Sequence, residues 1–164
     1  MKKYLIVFIP VLLLLIYIYR KPSLKLITKT MSNLPRGLRN NNPGNIRKTS
    51  DLWQGEVTGS DKSFKTFVSM EYGYRAMFVL LRSYINKGYD TIEKIINRYA
   101  PPSENTTSSY IKHVSERTGI AKNKKLRFSD SQSMKDIVAA ISRSENGVKA
   151  NLEEVEKGFN LIGI

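Results

Sequence analysis

The sequence predicts a mainly helical α+β domain with one small β-hairpin, preceded by an N-terminal transmembrane helix. Three observations predict it. Residues 4–19 are an unbroken run of 16 apolar or aromatic residues, with Lys2-Lys3 before it and Arg20-Lys21 after it. Residues 36–67 concentrate Asn, Gly and Pro between short aromatic stretches. From Tyr74 onward apolar residues recur at spacings of three and four, the period of a helix that buries one face.

The first element is the apolar run. As a helix it rises roughly 24 Å, slightly short of a hydrocarbon core of about 30 Å, and its flanking lysines can snorkel. Tyr4, Tyr17 and Tyr19 suit the membrane interfaces. A cleaved leader wants small residues after the run, and Tyr-Ile-Tyr-Arg-Lys-Pro offers none, so residues 1–21 read as a retained anchor. Arg20, Lys21, Lys25 and Lys29 outnumber the two leading lysines, which points the globular domain to the cytoplasmic side. Residues 22–35 read as a linker and residues 36–164 as the domain.

The domain opens with Arg36-Gly37-Leu38-Arg39-Asn40-Asn41-Asn42-Pro43-Gly44-Asn45-Ile46-Arg47. Asn-Pro-Gly marks a turn, because Pro fixes φ and Gly tolerates positive φ. Clustered amides there suit either a surface turn or a rim that binds sugar or peptide, since amides both donate and accept. Trp53-Gln54-Gly55-Glu56-Val57 and Ser63-Phe64-Lys65-Thr66-Phe67 predict the hairpin. A helix follows over 74–85 and stops at Gly88. Asp90 with Glu93 is expected to cap a short helix to Tyr99, which Pro101-Pro102 ends. A helix carrying Tyr110, Ile111 and Val114 closes at Gly119. Ser133 with Asp136 is expected to cap the next, and Asn151 with Glu154 a last one that ends at Gly158.

Composition narrows the chemistry. The absence of cysteine excludes disulfides, thiolate metal sites and a cysteine nucleophile, and the single histidine, His113, excludes a multi-histidine metal site. No metal and no cofactor is expected. Lys plus Arg number 27 against 14 Asp plus Glu. Six of the cations fall in residues 1–29 without an acid, so the rest holds 21 against 14, a net +7. Such a surface fits an anionic partner: nucleic acid, phospholipid or a wall polymer.

The loop at 36–47, Trp53-Gln54-Gly55, Phe64 with Phe67, Gly73-Tyr74-Arg75-Ala76, Thr91-Ile92-Glu93-Lys94-Ile95-Ile96 and Ala100-Pro101-Pro102-Ser103-Glu104-Asn105-Thr106 together resemble a group of phage virion proteins of the lysozyme-like superfamily. The resemblance covers residues 36–119 and, more loosely, 133–162. It implies a lysozyme-like helical domain that attacks the glycan strands of bacterial peptidoglycan, by hydrolysis or by lytic transglycosylation. Both routes need an acid that protonates the leaving glycosidic oxygen. Of nine Glu and five Asp, most read as cap or surface carboxylates.

Glu145 resembles the acid that ends a largely buried helix in such enzymes, where the helix dipole and burial help a carboxyl keep its proton. Glu104, followed by Tyr110, looks like the supporting acid and the substrate-contacting tyrosine of soluble lytic transglycosylases. Asn41, Asn42 and Asn45 are expected on the substrate rim, with their loop as one wall of a cleft and Glu104 with Tyr110 as the other. The Glu-ended helix normally precedes the Asn-rich loop, whereas here it follows, and a circular permutation would reconcile the two orders. The setting implied is a virion internal membrane or the host inner membrane, reached through residues 4–19, with capsid proteins as further partners. The other reading is a non-enzymatic, membrane-anchored virion protein whose basic domain binds capsid or nucleic acid. Nucleic acid fits less well, because the cations are scattered rather than ordered in a stripe with exposed aromatics.

Overall fold

Gly37 and Asn40 are buried in the first turn of the domain. The computed structural model describes residues 33–100 and 106–163. The expected anchor at 1–21 and most of the expected linker lie outside them. Among the described residues no helix is long and apolar enough to cross a membrane. Residues from Pro35 onward form one compact unit, mainly helical with a two-stranded antiparallel sheet.

The first helix, α1, is the single turn Arg36–Arg39. A Cβ on Gly37 would come within 2.8 Å of the Asn42 carbonyl oxygen, so only glycine lets the following loop fold back this closely. Strands β1 (Glu56–Val57) and β2 (Thr66–Phe67) pair with Glu56 opposite Phe67 and Val57 opposite Thr66. A bridge between Arg47 and Phe64 continues the pairing towards the Asn-rich loop.

Helix α2 (Met70–Asn86) starts a turn before the expected position, with Ser69 at its N-cap. It buries Tyr74, Met77, Phe78 and Leu81 on one face. Helix α3 (Ile92–Tyr99) is capped by Thr91, whose hydroxyl accepts from the Lys94 amide at 3.2 Å. Asp90 and Glu93 do not form the expected capping pair. Asp90 sits one residue too early and pairs with Lys94 at 2.9 Å, while Glu93 pairs with Lys122 at 2.9 Å.

Helix α4 (Thr106–Thr118) is followed by α5 (Ser131–Asn146). Here too the cap differs from expectation. Asp130 accepts from the Ser133 amide at 3.2 Å and its hydroxyl at 2.7 Å, and Asp136 lies inside the helix, accepting from Gln132. Gly147 ends α5 with φ 72°, a left-handed stop natural to glycine.

Helix α6 (Leu152–Asn160) is capped by Asn151 and runs through Gly158 rather than ending there. Gly158 is a packing glycine: a Cβ on it would meet the Tyr74 Cβ at 2.6 Å and the Glu71 carbonyl at 2.9 Å. That close approach lets α6 lie along α2, while α5 packs against α2, α4 and α6. Ile92, Ile95, Ile96, Met134, Ile137 and Ile141 are fully buried between these helices, each contributing about 1.5–3 kcal/mol by leaving water. The Tyr74 hydroxyl finds Ser142 Oγ at 3.2 Å inside this core.

Candidate functional site

The Asn-rich loop is rigid because its own amides hold it. Asn42 is fully buried. Its Nδ2 donates to the carbonyls of Ile46 and Lys65, both at 2.9 Å, and its Oδ1 accepts from the Ile46 amide at 2.9 Å. Asn41 donates to the Phe67 carbonyl at 3.0 Å. Both were expected on the substrate rim, and neither lines the cleft. Their amides are spent on backbone groups that would otherwise be buried without partners. Asn41 and Asn45 have φ of 48° and 46°, a left-handed conformation that asparagine accepts better than most residues. These two kinks turn Asn45 towards the far end of the chain.

There Asn45 meets Glu145. Asn45 Nδ2 donates to Glu145 Oε2 at 2.9 Å, and the Tyr110 hydroxyl donates to Oε1 at 2.8 Å. Glu145 closes α5, and its neighbour Asn146 donates to the Pro43 carbonyl at 2.8 Å. The helix end is therefore clamped to the loop by two adjacent residues. On α3, the Tyr99 hydroxyl donates to the Gly44 carbonyl and pins the loop from the other side. Burial first, then Tyr99 and the Glu145 carboxylate, push the Tyr110 hydroxyl far above the ordinary tyrosine range. Burial, then Glu145 and Tyr84, do the same to Tyr99. Both phenols accordingly keep their protons and act as fixed donors.

This trio opens onto a cleft of about 840 Å³. Gly44, Asn45 and Ile46 form part of one wall, Tyr99, Thr107 and Tyr110 part of another, with Glu145 among the lining residues. Trp53 and Phe64 from the hairpin region, Tyr84, and the cations Arg47, Lys87 and Arg98 complete much of the lining. The Asn45 Oδ1 atom is shielded without a hydrogen-bond partner among the described residues, a cost that a functional position tolerates. No group of His, Cys, Asp and Glu suited to a metal ion occurs among the described residues.

Of the residues singled out from the sequence, Glu145, Tyr110 and Asn45 come together. Asn41 and Asn42 support the loop from behind, and Glu104 lies outside the described residues. His113 is exposed on α4 and away from the cleft lining. Trp53, Phe64, Tyr84, Tyr99, Lys87 and Arg98 also face the cleft, and sequence reasoning passed over them as sites. Tyr84 and Tyr99 follow the helical spacing of core residues, so nothing in the pattern marked them as cleft-facing.

Protein P5 of Pseudoalteromonas phage PM2 is 41% identical to this chain over 130 residues, spanning 76% of the chain and 79% of the phage protein. The chain belongs to the family of that phage protein. No family model matches it. The P5 relationship ties the chain to a phage protein.

Proposed function

We propose that this chain is a membrane-anchored, lysozyme-like enzyme of a phage particle that cleaves the glycan strands of bacterial peptidoglycan, with Glu145 as the general acid. The observation that carries the reading is the Glu145 carboxylate, held at a helix end between Tyr110 and Asn45 and open to an 840 Å³ cleft. The lysozyme-like order of parts is supported by the contact of α5 with α1. The Glu-bearing helix ends where the Asn-rich loop begins in space, although about 100 residues separate them in sequence. A circular permutation of the lysozyme-like pattern has this arrangement.

In the reaction, the acid form of Glu145 gives its proton to the glycosidic oxygen as the bond from the anomeric carbon breaks. The bonding pair leaves with that oxygen. The electron-deficient carbon is captured by a hydroxyl of the same sugar or by water, whose proton returns to the Glu145 carboxylate. Tyr110 and Asn45 hold the carboxylate formed in the first half, as donors that need no reorganisation. Capture by the sugar's own hydroxyl requires no second carboxylate, and it leaves anhydro ends. The anchor at residues 4–19 would keep the enzyme on the virion internal membrane or the host inner membrane, close to the wall.

Glu145→Gln tests the reading. It keeps the shape and one acceptor oxygen for the two donors, Tyr110 and Asn45, but its amide has no acidic proton to give, so clearing of a peptidoglycan gel should fall at least about 100-fold while the chain still folds. Full clearing by that variant would remove Glu145 from the role. Mass spectrometry of the digest then separates anhydro ends from reducing ends.

A further inference from the structure

Among the described residues, the shielded side-chain atoms without a hydrogen-bond partner include two amide oxygens, Asn45 Oδ1 and Asn146 Oδ1. Both border the space where Gly37 has no side chain. A Cβ there would collide with Asn146 Oδ1 and come within 3.1 Å of Asn45 Oδ1. Asn146 is buried and its orientation is fixed, because its Nδ2 donates to the Pro43 carbonyl at 2.8 Å and to the Ser142 carbonyl at 2.9 Å. Its oxygen is therefore an acceptor in want of a donor. The Asn45 side chain is oriented by the Glu145 carboxylate, whose Oε2 accepts from Nδ2 while Oε1 accepts from the Tyr110 hydroxyl. With both oxygens accepting, this arrangement serves the charged form of Glu145. An acid form with its O–H at Oε2 would face an NH2 group, which cannot accept a hydrogen bond.

We propose that the Asn45 amide is a two-position switch set by the proton on Glu145. In the acid form it turns over about its Cβ–Cγ bond. Oδ1 then accepts the carboxyl O–H at Oε2, and Nδ2 swings to the Gly37 side and donates to Asn146 Oδ1. Both orphaned oxygens gain partners in that state. The two ends of an amide are alike in shape and this torsion is soft, so the turn needs no movement of the backbone. The switch makes Asn45 a positioning residue, and its use rests on the glycan-cleaving reading: turned over, it keeps the proton on Glu145 while the cleft is empty. A glycosidic oxygen arriving beside the acid competes for that proton. The amide turns back before the bond breaks, so its donor is in place as the carboxylate forms. Other groups around the acid keep their charge meanwhile. Tyr110 and Tyr99 hold their protons, and Arg117, which donates to Ser144 at 2.8 Å, stays a cation like Arg47, Lys87 and Arg98 of the lining. Asp51 is a second carboxylate of that lining.

The test is nuclear magnetic resonance on the isotope-labelled full chain in detergent micelles, titrated from about pH 8 down through the carboxylate range. The Asn45 NH2 protons should gain a nuclear Overhauser contact with the Gly37 α protons as the acid form appears. The midpoint of that gain should match the midpoint read from the Glu145 carboxyl carbon. In Glu145→Gln the group no longer titrates, so the contact should be the same at every pH. Unchanged Asn45 contacts through the whole Glu145 titration overturn the switch. A pH step that survives in Glu145→Gln overturns it as well, since Asp51 or another group would then be its source. Clearing of a peptidoglycan gel by the same variant separates the two readings. A motionless amide beside a Glu145→Gln variant that cannot clear removes the switch and leaves the acid in its role, whereas full clearing by Glu145→Gln takes both away.

Discussion

A single backbone angle places Asn45 against the acid. Its φ of 46° costs most residues about 1–2 kcal/mol and glycine almost nothing. Asn45→Ala therefore loses the hydrogen bond to Glu145 and also pays for the left-handed backbone, whereas Asn45→Gly loses only the bond. Urea denaturation should find the alanine variant less stable than the glycine variant by about 1 kcal/mol, with both impaired alike in wall lysis. Equal stabilities would mean that the kink relaxes on substitution. Asp61 anchors the same loop. The Ser63 amide, then the Asn40 side chain, the Phe64 amide and Arg36 hold its carboxyl down at about 2 from an ordinary 3.8. A lowered folded value means that the anion stabilises the fold above pH 3.8 and that this contribution is lost as the pH falls towards 2. Between pH 4 and 2 the wild-type chain should lose more stability than Asp61→Asn, read from urea midpoints at each pH.

At the level of elements, the cleft wall formed by residues 49–56 depends on one buried lysine. Lys65 is 1% exposed. Its ammonium donates to both Glu56 oxygens at 2.9 and 3.0 Å and to the Asp51 carbonyl at 2.8 Å. Glu56 in turn accepts from the Trp53 amide at 3.2 Å. Lys65→Met strands a shielded carboxylate and frees the loop, so it should cost about 3 kcal/mol, and adding Glu56→Gln should recover part of that loss. A loss below 0.5 kcal/mol would show that water replaces the ammonium. Nothing in the sequence announces this pin, because lysine in a hairpin reads as a solvated face. The helices were legible for the opposite reason. Tyr74, Met77, Phe78 and Leu81 repeat at the helical period, and burial follows the period. Cap identities were less legible: Thr91 and Asp130 won over Asp90 and Ser133 by shifts of one to three residues, and several cap-type residues stood within reach each time. Glu145 and Tyr110 emerged from motif resemblance, since a contact across 35 residues leaves no trace in local spacing. Asn42 looked like a ligand-binding amide because its real partners, the Ile46 and Lys65 carbonyls, are invisible until the loop closes.

Across the whole molecule, the cleft is assembled from segments that are remote in sequence, so its integrity should be inseparable from that of the core. Asn45 and Pro43 are tied to Glu145 and Asn146 at separations of 100 and 103 residues. The same loop is tied to β2, where the Phe67 amide donates to the Asn40 carbonyl at 3.0 Å, and Lys65, the residue before β2, holds the Trp53 segment. An unbroken series of hydrogen bonds thus runs from α5 to the single tryptophan at the cleft wall. Trp53 also packs against the buried cluster, so its environment reports on both cleft and core. Residues 35–164, produced without the preceding segment, should be soluble and unfold in urea as one cooperative unit with a slope of about 1–3 kcal/mol per molar. The midpoint from Trp53 emission should coincide with the midpoint from helical circular dichroism. An earlier tryptophan transition would show that the cleft wall melts on its own, and insolubility would show that the domain depends on the residues before it. Coincident transitions would mean that a ligand in the cleft raises the stability of the entire domain, as binding to the folded state alone requires.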